Sequence, residues 1–280
     1  MNWQTIGFDK NKKLFERLLA GEDLSHAYIF YGQDMIGKRT FAMEMAGRAG
    51  SSKEDVLLIG PADSESGRSI PIEKVRDVKN FVYLSSYFGK YKFIIIDDAH
   101  LMTVEAQNAL LKILEEPGQS SVFILVTANP ELLLPTVNSR CQDIKFAAHS
   151  WESVRAMLKN YKLSEAKAEF LIEFANGRIG LVKKIVEEGT YDELENSVRE
   201  LMNLIKADIN GRLAVAQKMT EEKNKDRLLR KVLYWLLYLR TRLNEPKTHK
   251  ILKNLLVLHE IINKPQFNQR LALENFLVSL

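Results

Sequence analysis

Cysteine is almost absent: Cys141 is the only one in 280 residues. That excludes an internal disulfide and any Cys-rich zinc cluster, so no zinc is expected, and it agrees with a reducing compartment. Long apolar runs are missing too. The longest candidate, "VLYWLLYL", lies between basic residues and falls far short of the ~20 residues that cross a bilayer. The amino-terminal stretch has no signal-peptide apolar core, so the expected location is cytoplasmic, with no membrane partner. Internal repeats and low-complexity tracts are absent. Hydrophobic residues make up 46% and charged residues 27% of the chain, which is enough apolar content to exclude disorder over most of its length. The length suits one developed core with one or two smaller domains.

The net charge of +4 is unevenly spread. Residues 201–280 hold 15 Lys and Arg against 7 Asp and Glu, leaving 25 against 29 for residues 1–200. A basic helical segment can meet phosphate backbones, although charge on a helical bundle is more often its solvated face.

Short β-branched and aromatic runs recur in the first half: Ala27–Tyr31, Val56–Ile59, Phe93–Asp97, Val122–Thr127 and Ile144–Phe146. Segments with helical spacing lie between them, the alternation of a parallel α/β sheet. In "TVEAQNALLKILEEPG", Thr103 is placed to cap a helix whose apolar face is Ala106, Ala109, Leu110, Ile113 and Leu114, and Pro117-Gly118 stops it. After Ser150 the strand signals cease. The remainder reads as helices broken at "NGRIG" (176–180), "NG" (210–211) and "NEPK" (244–247), with a boundary near residue 188. The stretches "RLLRKVLYWLLYLRTRL" and "KILKNLLVLHEIINK" are apolar over more than half their circumference, so each is expected to bury two faces.

Two stretches carry chemistry. "GQDMIGKRTF", residues 32–41, has the glycine and lysine spacing of a phosphate-binding loop, with Gly32, Gly37 and Lys38 in place. The strand before it and the helical pattern after it supply the required context. There, backbone N–H groups and the helix amino terminus attract phosphate while the lysine bridges outer oxygens. The pattern then breaks: Arg39 stands where a magnesium-binding hydroxyl is required, and the hydroxyl comes one place late, at Thr40. One helical step turns a side chain by ~100°, so Thr40 is expected to point away from the metal position. "FIIIDDAH", residues 93–100, is a buried strand ending in two carboxylates at the edge of a parallel sheet where ligands collect. Asp97 would lie near magnesium. The segment resembles the second element of a P-loop ATPase, in which Asp98 would stand where hydrolytic members orient water with the longer glutamate; His100 is read as a local hydrogen-bonding residue.

Together, "SHAYIFYGQDMIGKRTFA", "KFIIIDDAHLMTVEAQNALLKILEEP" and "VTANPELLLPTVNSRCQ" resemble the bacterial clamp-loader AAA+ ATPases. The resemblance is strong over residues 1–147 and reduces to topology and helix content over 148–280. It implies an α/β AAA+ P-loop domain with a parallel sheet (1–147), a small helical lid domain (148–188) and an all-α collar domain for oligomerisation (189–280). It implies a site for ATP or ADP with Mg2+ at Gly32, Gly37, Lys38, Arg39, Thr40, Asp97 and Asp98. Thr127 falls at the family's first sensor position, where a hydroxyl reads the γ-phosphate. In "NSRCQ", Arg140 matches the finger that projects into a neighbouring subunit's ATP site, a catalytic role in trans, while Cys141 is read as packed.

The departures separate this chain from the gamma-type motor subunits. Those carry a hydroxyl after the loop lysine, an Asp-Glu pair, zinc-binding cysteines and a second-sensor arginine in the lid. None of the four is here, and "GRIG" (177–180) puts Gly180 in the arginine's place. The resemblance therefore implies weakly held nucleotide, weak or absent hydrolysis by this chain, and association with the gamma/tau and delta subunits of a clamp loader of DNA polymerase III. Through that complex it would act on the sliding clamp and primed DNA. Three other readings stay open: a motor hydrolysing ATP in cis through Lys38, Thr40, Asp97 and Asp98; a small-molecule kinase, for whose closing lid the sequence offers only Arg68 and Arg76; and a basic carboxy-terminal segment binding DNA by itself.

Overall fold

The computed structural model describes residues 3–61, 69–83, 89–118, 120–221, 225–262, 264 and 268–280; Arg68 lies outside them. Strands β1 (Ala27–Tyr31), β2 (Val56–Ile59), β3 (Lys92–Ile96), β4 (Ser121–Thr127) and β5 (Gln142–Lys145) form one parallel sheet in the order β2-β3-β4-β1-β5. The first half also forms helices α1 (Asp9–Ala20), α2 (Lys38–Arg48), α3 (Ile72–Tyr83), α4 (Val104–Glu115), α5 (Pro135–Asn138) and α6 (Trp151–Leu158). The α/β parallel-sheet domain followed by helices, expected from the alternation, is the fold observed.

The sheet is covered on both faces, which is why its strands read as apolar runs without alternation. Ile29, Ile94, Ile96, Phe123 and Leu125 pack on one side against Val75 and Val78 of α3 and Leu110 and Leu114 of α4. On the other, Tyr28, Phe30, Phe93, Ile95 and Ile124 meet Phe15 of α1 and Phe41, Ala42 and Met45 of α2. α4 is capped as expected, the Thr103 hydroxyl accepting from Ala106 N–H at 3.2 Å.

Backbone contacts divide the chain into two compact units, residues 1–157 with 177–181 and residues 158–176 with 182–280. The second unit contains α7 (Glu165–Ala175), most of α8 (Ile179–Glu187), α9 (Tyr191–Lys206), α10 (Ile209–Glu221), α11 (Lys225–Arg240), α12 (Thr248–Ile262) and α13 (Gln269–Val278). Trp235 of α11 is fully buried and its indole N–H donates to Ser197 O of α9 at 2.7 Å. Arg212 closes the carboxyl end of α9, donating to Leu204 O at 2.9 Å and Ile205 O at 3.1 Å, carbonyls of its last turn. The "NG" at 210–211 is not a break: it lies in the first turn of α10, where Gly211 N–H donates to the Asp208 carboxylate at 3.0 Å. Among the described residues no helix is long and apolar enough to cross a membrane.

The segment before α1 is tied to α2. Trp3 stacks on Phe41 at 4.7 Å, the Arg48 guanidinium covers the Trp3 ring, and Glu44 accepts from Gln4 N–H at 2.6 Å and Thr5 N–H at 2.8 Å. Desolvation pushes the Glu44 pKa up, but the Thr5 and Gln4 hydrogen bonds and the nearby Arg48 outweigh it and hold the carboxyl below its usual range. A depressed folded-state pKa contributes stability above the unfolded value and loses it as pH falls through the folded one. Glu44→Gln is therefore expected to destabilise the protein by about 1–3 kcal/mol at pH 7, with the difference shrinking as pH falls below the ordinary carboxylate range. Urea unfolding of both proteins from pH 7 to pH 3 checks this; a pH-independent difference would contradict it.

Candidate functional site

β3, β4 and β1 are consecutive in the sheet, so the residues following them converge at one edge. The chain leaves β1 through Gly32, at φ +149°, where an added Cβ would lie 2.2 Å from Phe146 O. No side chain fits there, and the backbone favours glycine. Gly32 N–H donates to Thr127 O at 3.3 Å and Phe146 N–H to Tyr31 O at 2.8 Å, so both neighbouring strands clasp the start of the loop. Two outside segments hold its far side. The His149 ring donates from Nε2 to Ile36 O at 2.8 Å, and Gly180 N–H donates to Met35 O at 2.7 Å. Burial lowers the His149 pKa, in keeping with a neutral ring that carries its proton on Nε2. A Cβ on Gly180 would stand 2.6 Å from Met35 O, so direct backbone packing leaves no room for a side chain at this position. Arg178 is buried.

α2 starts at Lys38. The Lys38 side chain is buried, and its ammonium donates to Gly32 O at 2.7 Å and Gln33 O at 2.6 Å, folding back over its own loop. Burial pulls its pKa down, and Asp34, Asp98 and Asp97 oppose the shift. Arg39 turns to the end of β3, where its guanidinium pairs with Asp97 at 3.1 Å. Asp98 sits in the left-handed region at φ +49°. Desolvation, then Asp97 and Asp34, raise its pKa. It makes no side-chain hydrogen bond capping the short turn after it.

Thr127 reaches the same edge but is fully buried. Its hydroxyl accepts from Asn129 N–H at 3.0 Å and meets His100 Nδ1 at 3.1 Å, so His100 is a local hydrogen-bonding residue. Gly32, Gly37, Lys38, Arg39, Asp97, Asp98 and Thr127 are thus gathered at one edge, while Thr40 is exposed on α2. Among the described residues no group of three or more His, Cys, Asp or Glu is arranged to hold a metal.

Arg140 is elsewhere. It precedes β5, and Gln142 pairs with Tyr28 near the start of β1, so Arg140 lies at the sheet edge opposite the loop, about a strand length away (five residues at roughly 3.3 Å each). Its guanidinium pairs with Glu115 at the end of α4 at 2.7 Å and donates to Thr136 O at 3.0 Å. Cys141 is packed, its thiol pushed up to about 12 by burial.

Two supporting residues escaped the sequence reading. Nothing local marks His149. Gln107 does carry a signal, since it falls within the apolar stripe of α4, where a buried polar side chain needs partners. Its amide accepts from Leu134 N–H at 2.7 Å and donates to Met102 O at 3.3 Å, anchoring the segment that leads into α5 and Arg140. Gln107→Leu is expected to cost about 1–3 kcal/mol by leaving these backbone groups unpaired. Thermal and urea unfolding measure it, and an unchanged midpoint would show that the bonds contribute nothing.

Residues 49–150 match the family model described as "DNA polymerase III, delta subunit". The chain is 29% identical over 210 residues to DNA polymerase III subunit delta' of Pseudomonas aeruginosa, the match covering 66% of this chain and 63% of that protein. With subunit delta' of Bacillus subtilis it shares 29% over 212 residues, 69% of this chain and 62% of the relative. With subunit tau of Bacillus subtilis it shares 26% over 210 residues, 68% and 36% respectively. The chain thus spans less than two thirds of the length of these relatives. The crystal structure of a DNA polymerase III gamma subunit-related protein from Thermotoga maritima superposes with a TM-score of 0.62 at 21% identity, covering 94% of this chain and 97% of that one. That likeness establishes a shared fold.

Proposed function

We propose that this chain, a delta-prime-like relative of the clamp-loader subunits of DNA polymerase III, works as a non-motor AAA+ subunit that lends an arginine to its neighbour. It assembles with gamma/tau and delta subunits, and the complex loads the sliding clamp on primed DNA in the cytoplasm. Residues 1–147 serve as the AAA+ domain, 148–188 as the lid and 189–280 as the collar that joins the ring. The observation that carries the reading is the separation of Arg140 from its own phosphate loop by the length of a strand, at the opposite edge of the sheet. An arginine so placed serves a second subunit packed on that edge, where fixed positive charge meets the charge developing on a transferred phosphoryl group.

Its own loop keeps the parts that hold phosphate, Gly32, Gly37 and Lys38, and holds ATP or ADP weakly. The parts for hydrolysis are engaged or replaced: Asp97 is paired with Arg39, the Thr127 hydroxyl with Asn129 and His100, and Gly180, in the sensor arginine's place, is packed on Met35. These pairings count against hydrolysis in cis. The carboxy-terminal cations are also partly engaged within the chain, Arg230 with Glu193, Lys231 with Glu200 and Arg242 with Glu173. That favours a structural use of the basic segment over independent DNA binding.

The test is ATP turnover by a complex reconstituted from this chain, gamma/tau and delta subunits, clamp and primed DNA. Arg140→Ala should lower turnover severalfold while gel filtration shows the complex still assembled. Unchanged turnover would remove the trans role. Rapid hydrolysis by the isolated chain, abolished by Lys38→Ala, would favour the motor reading instead.

A further inference from the structure

Kinship with gamma/tau subunits carries the expectation of a magnesium–nucleotide site, and the donor set of this loop does not fit magnesium. The ion is small and octahedral, and it binds nucleotide through one or two protein oxygens, waters and phosphate oxygens. Here the residue after Lys38 is Arg39, which offers no oxygen, and Thr40 is exposed on the helix. The carboxylate at the end of β3 that would face the ion, Asp97, instead accepts from the Arg39 guanidinium at 3.1 Å. One residue, Arg39, thus both stands in the hydroxyl's place and occupies the carboxylate.

The charges favour the same conclusion. Asp34 and Asp98 lie close enough to act on each other and on Lys38, and Asp97 brings the carboxylates at this edge to three. Arg39 and Lys38 are the cations beside them. Without Arg39 the edge would repel a polyphosphate unless a divalent ion came with it. With Arg39 present, a fixed guanidinium carries one positive charge where the ion would carry two, and its planar fork is suited to phosphate oxygens.

We infer that the loop takes its nucleoside di- or triphosphate free of metal, with the Arg39 guanidinium standing in for the divalent cation. The inference rests on the reading that the loop holds nucleotide at all. A nucleotide already carrying magnesium would bring its cation against Arg39, so magnesium weakens binding or leaves it unchanged.

The experiment titrates the full chain with a fluorescent ADP analogue, in EDTA and in excess Mg2+. Wild type should bind equally well or better in EDTA, and Lys38→Ala should lose binding in both. Arg39→Ser, which supplies a hydroxyl and frees Asp97, should weaken binding in EDTA and bring a tightening by magnesium that wild type lacks. Arg39→Met, which removes the charge without adding a ligand, should weaken binding in EDTA without that gain. Circular dichroism and unfolding midpoints verify that each variant folds. Any reproducible tightening of wild type by magnesium would overturn the inference and leave nucleotide binding standing. Absence of binding in both buffers, with folded protein, would overturn the nucleotide reading and this inference with it.

Discussion

The crossing of Phe146 over Gly32 is the constraint on which the site depends. At the end of β1 the ladder continues on both sides, through Gly32 to Thr127 and through Tyr31 to Phe146, and the space above Gly32 is filled by a carbonyl. The loop therefore leaves the sheet in one direction only. Phe146 then packs against Phe8, Phe30 and Phe41, which ties the helix after the loop to the strand beside it. His149, three residues further on, reaches back to Ile36. A few backbone hydrogen bonds and one aromatic cluster thus set the loop before any ligand chemistry is considered.

Around that frame, charged groups find partners within the chain. Burying Lys38 is costly unless its protons are bonded, and the loop's own carbonyls supply the acceptors. Phosphate oxygens would have to compete with those carbonyls, so a nucleotide held at this loop would be bound less tightly than by a lysine left free. Arg39 and Asp97 form a more exposed pair, of a kind worth about 0–1 kcal/mol. Its importance lies in occupying a carboxylate, and its contribution to stability is small.

Much of this was legible in the sequence because burial on both faces writes strands as continuous apolar runs. β1 and β2 were read to the residue. β3 begins and ends one residue earlier than expected, since Lys92 is buried with its ammonium on Phe81 O and so carries no apolar mark. β5 was read late because Gln142 and Asp143 are exposed on an edge strand, where pattern gives no warning. The glycines, Lys38 and the paired aspartates followed from spacing. The ion pair between Arg39 and Asp97 did not, because it joins positions 58 apart, and no local rule predicts which of two neighbouring carboxylates an arginine chooses. The contacts of His149 and Gly180 with the loop were equally hidden: each comes from a segment over 100 residues away.

Placement of Arg140 and the loop at opposite edges has a physical cause in the parallel sheet itself. Every strand here runs the same way, so residues after strands gather at one edge and residues before strands at the other. Arg140 comes before β5 and the loop comes after β1, and no side chain spans the sheet between them. The tether to Glu115 is an exposed ion pair of the weak class, so releasing Arg140 to a stronger anion costs little. Meanwhile Gln107 holds the preceding backbone through buried bonds that are expensive to break. The arrangement suits the proposed trans role, because the backbone is fixed by buried bonds while the guanidinium is held by exposed contacts to Glu115 and Thr136 O that a stronger anion would replace.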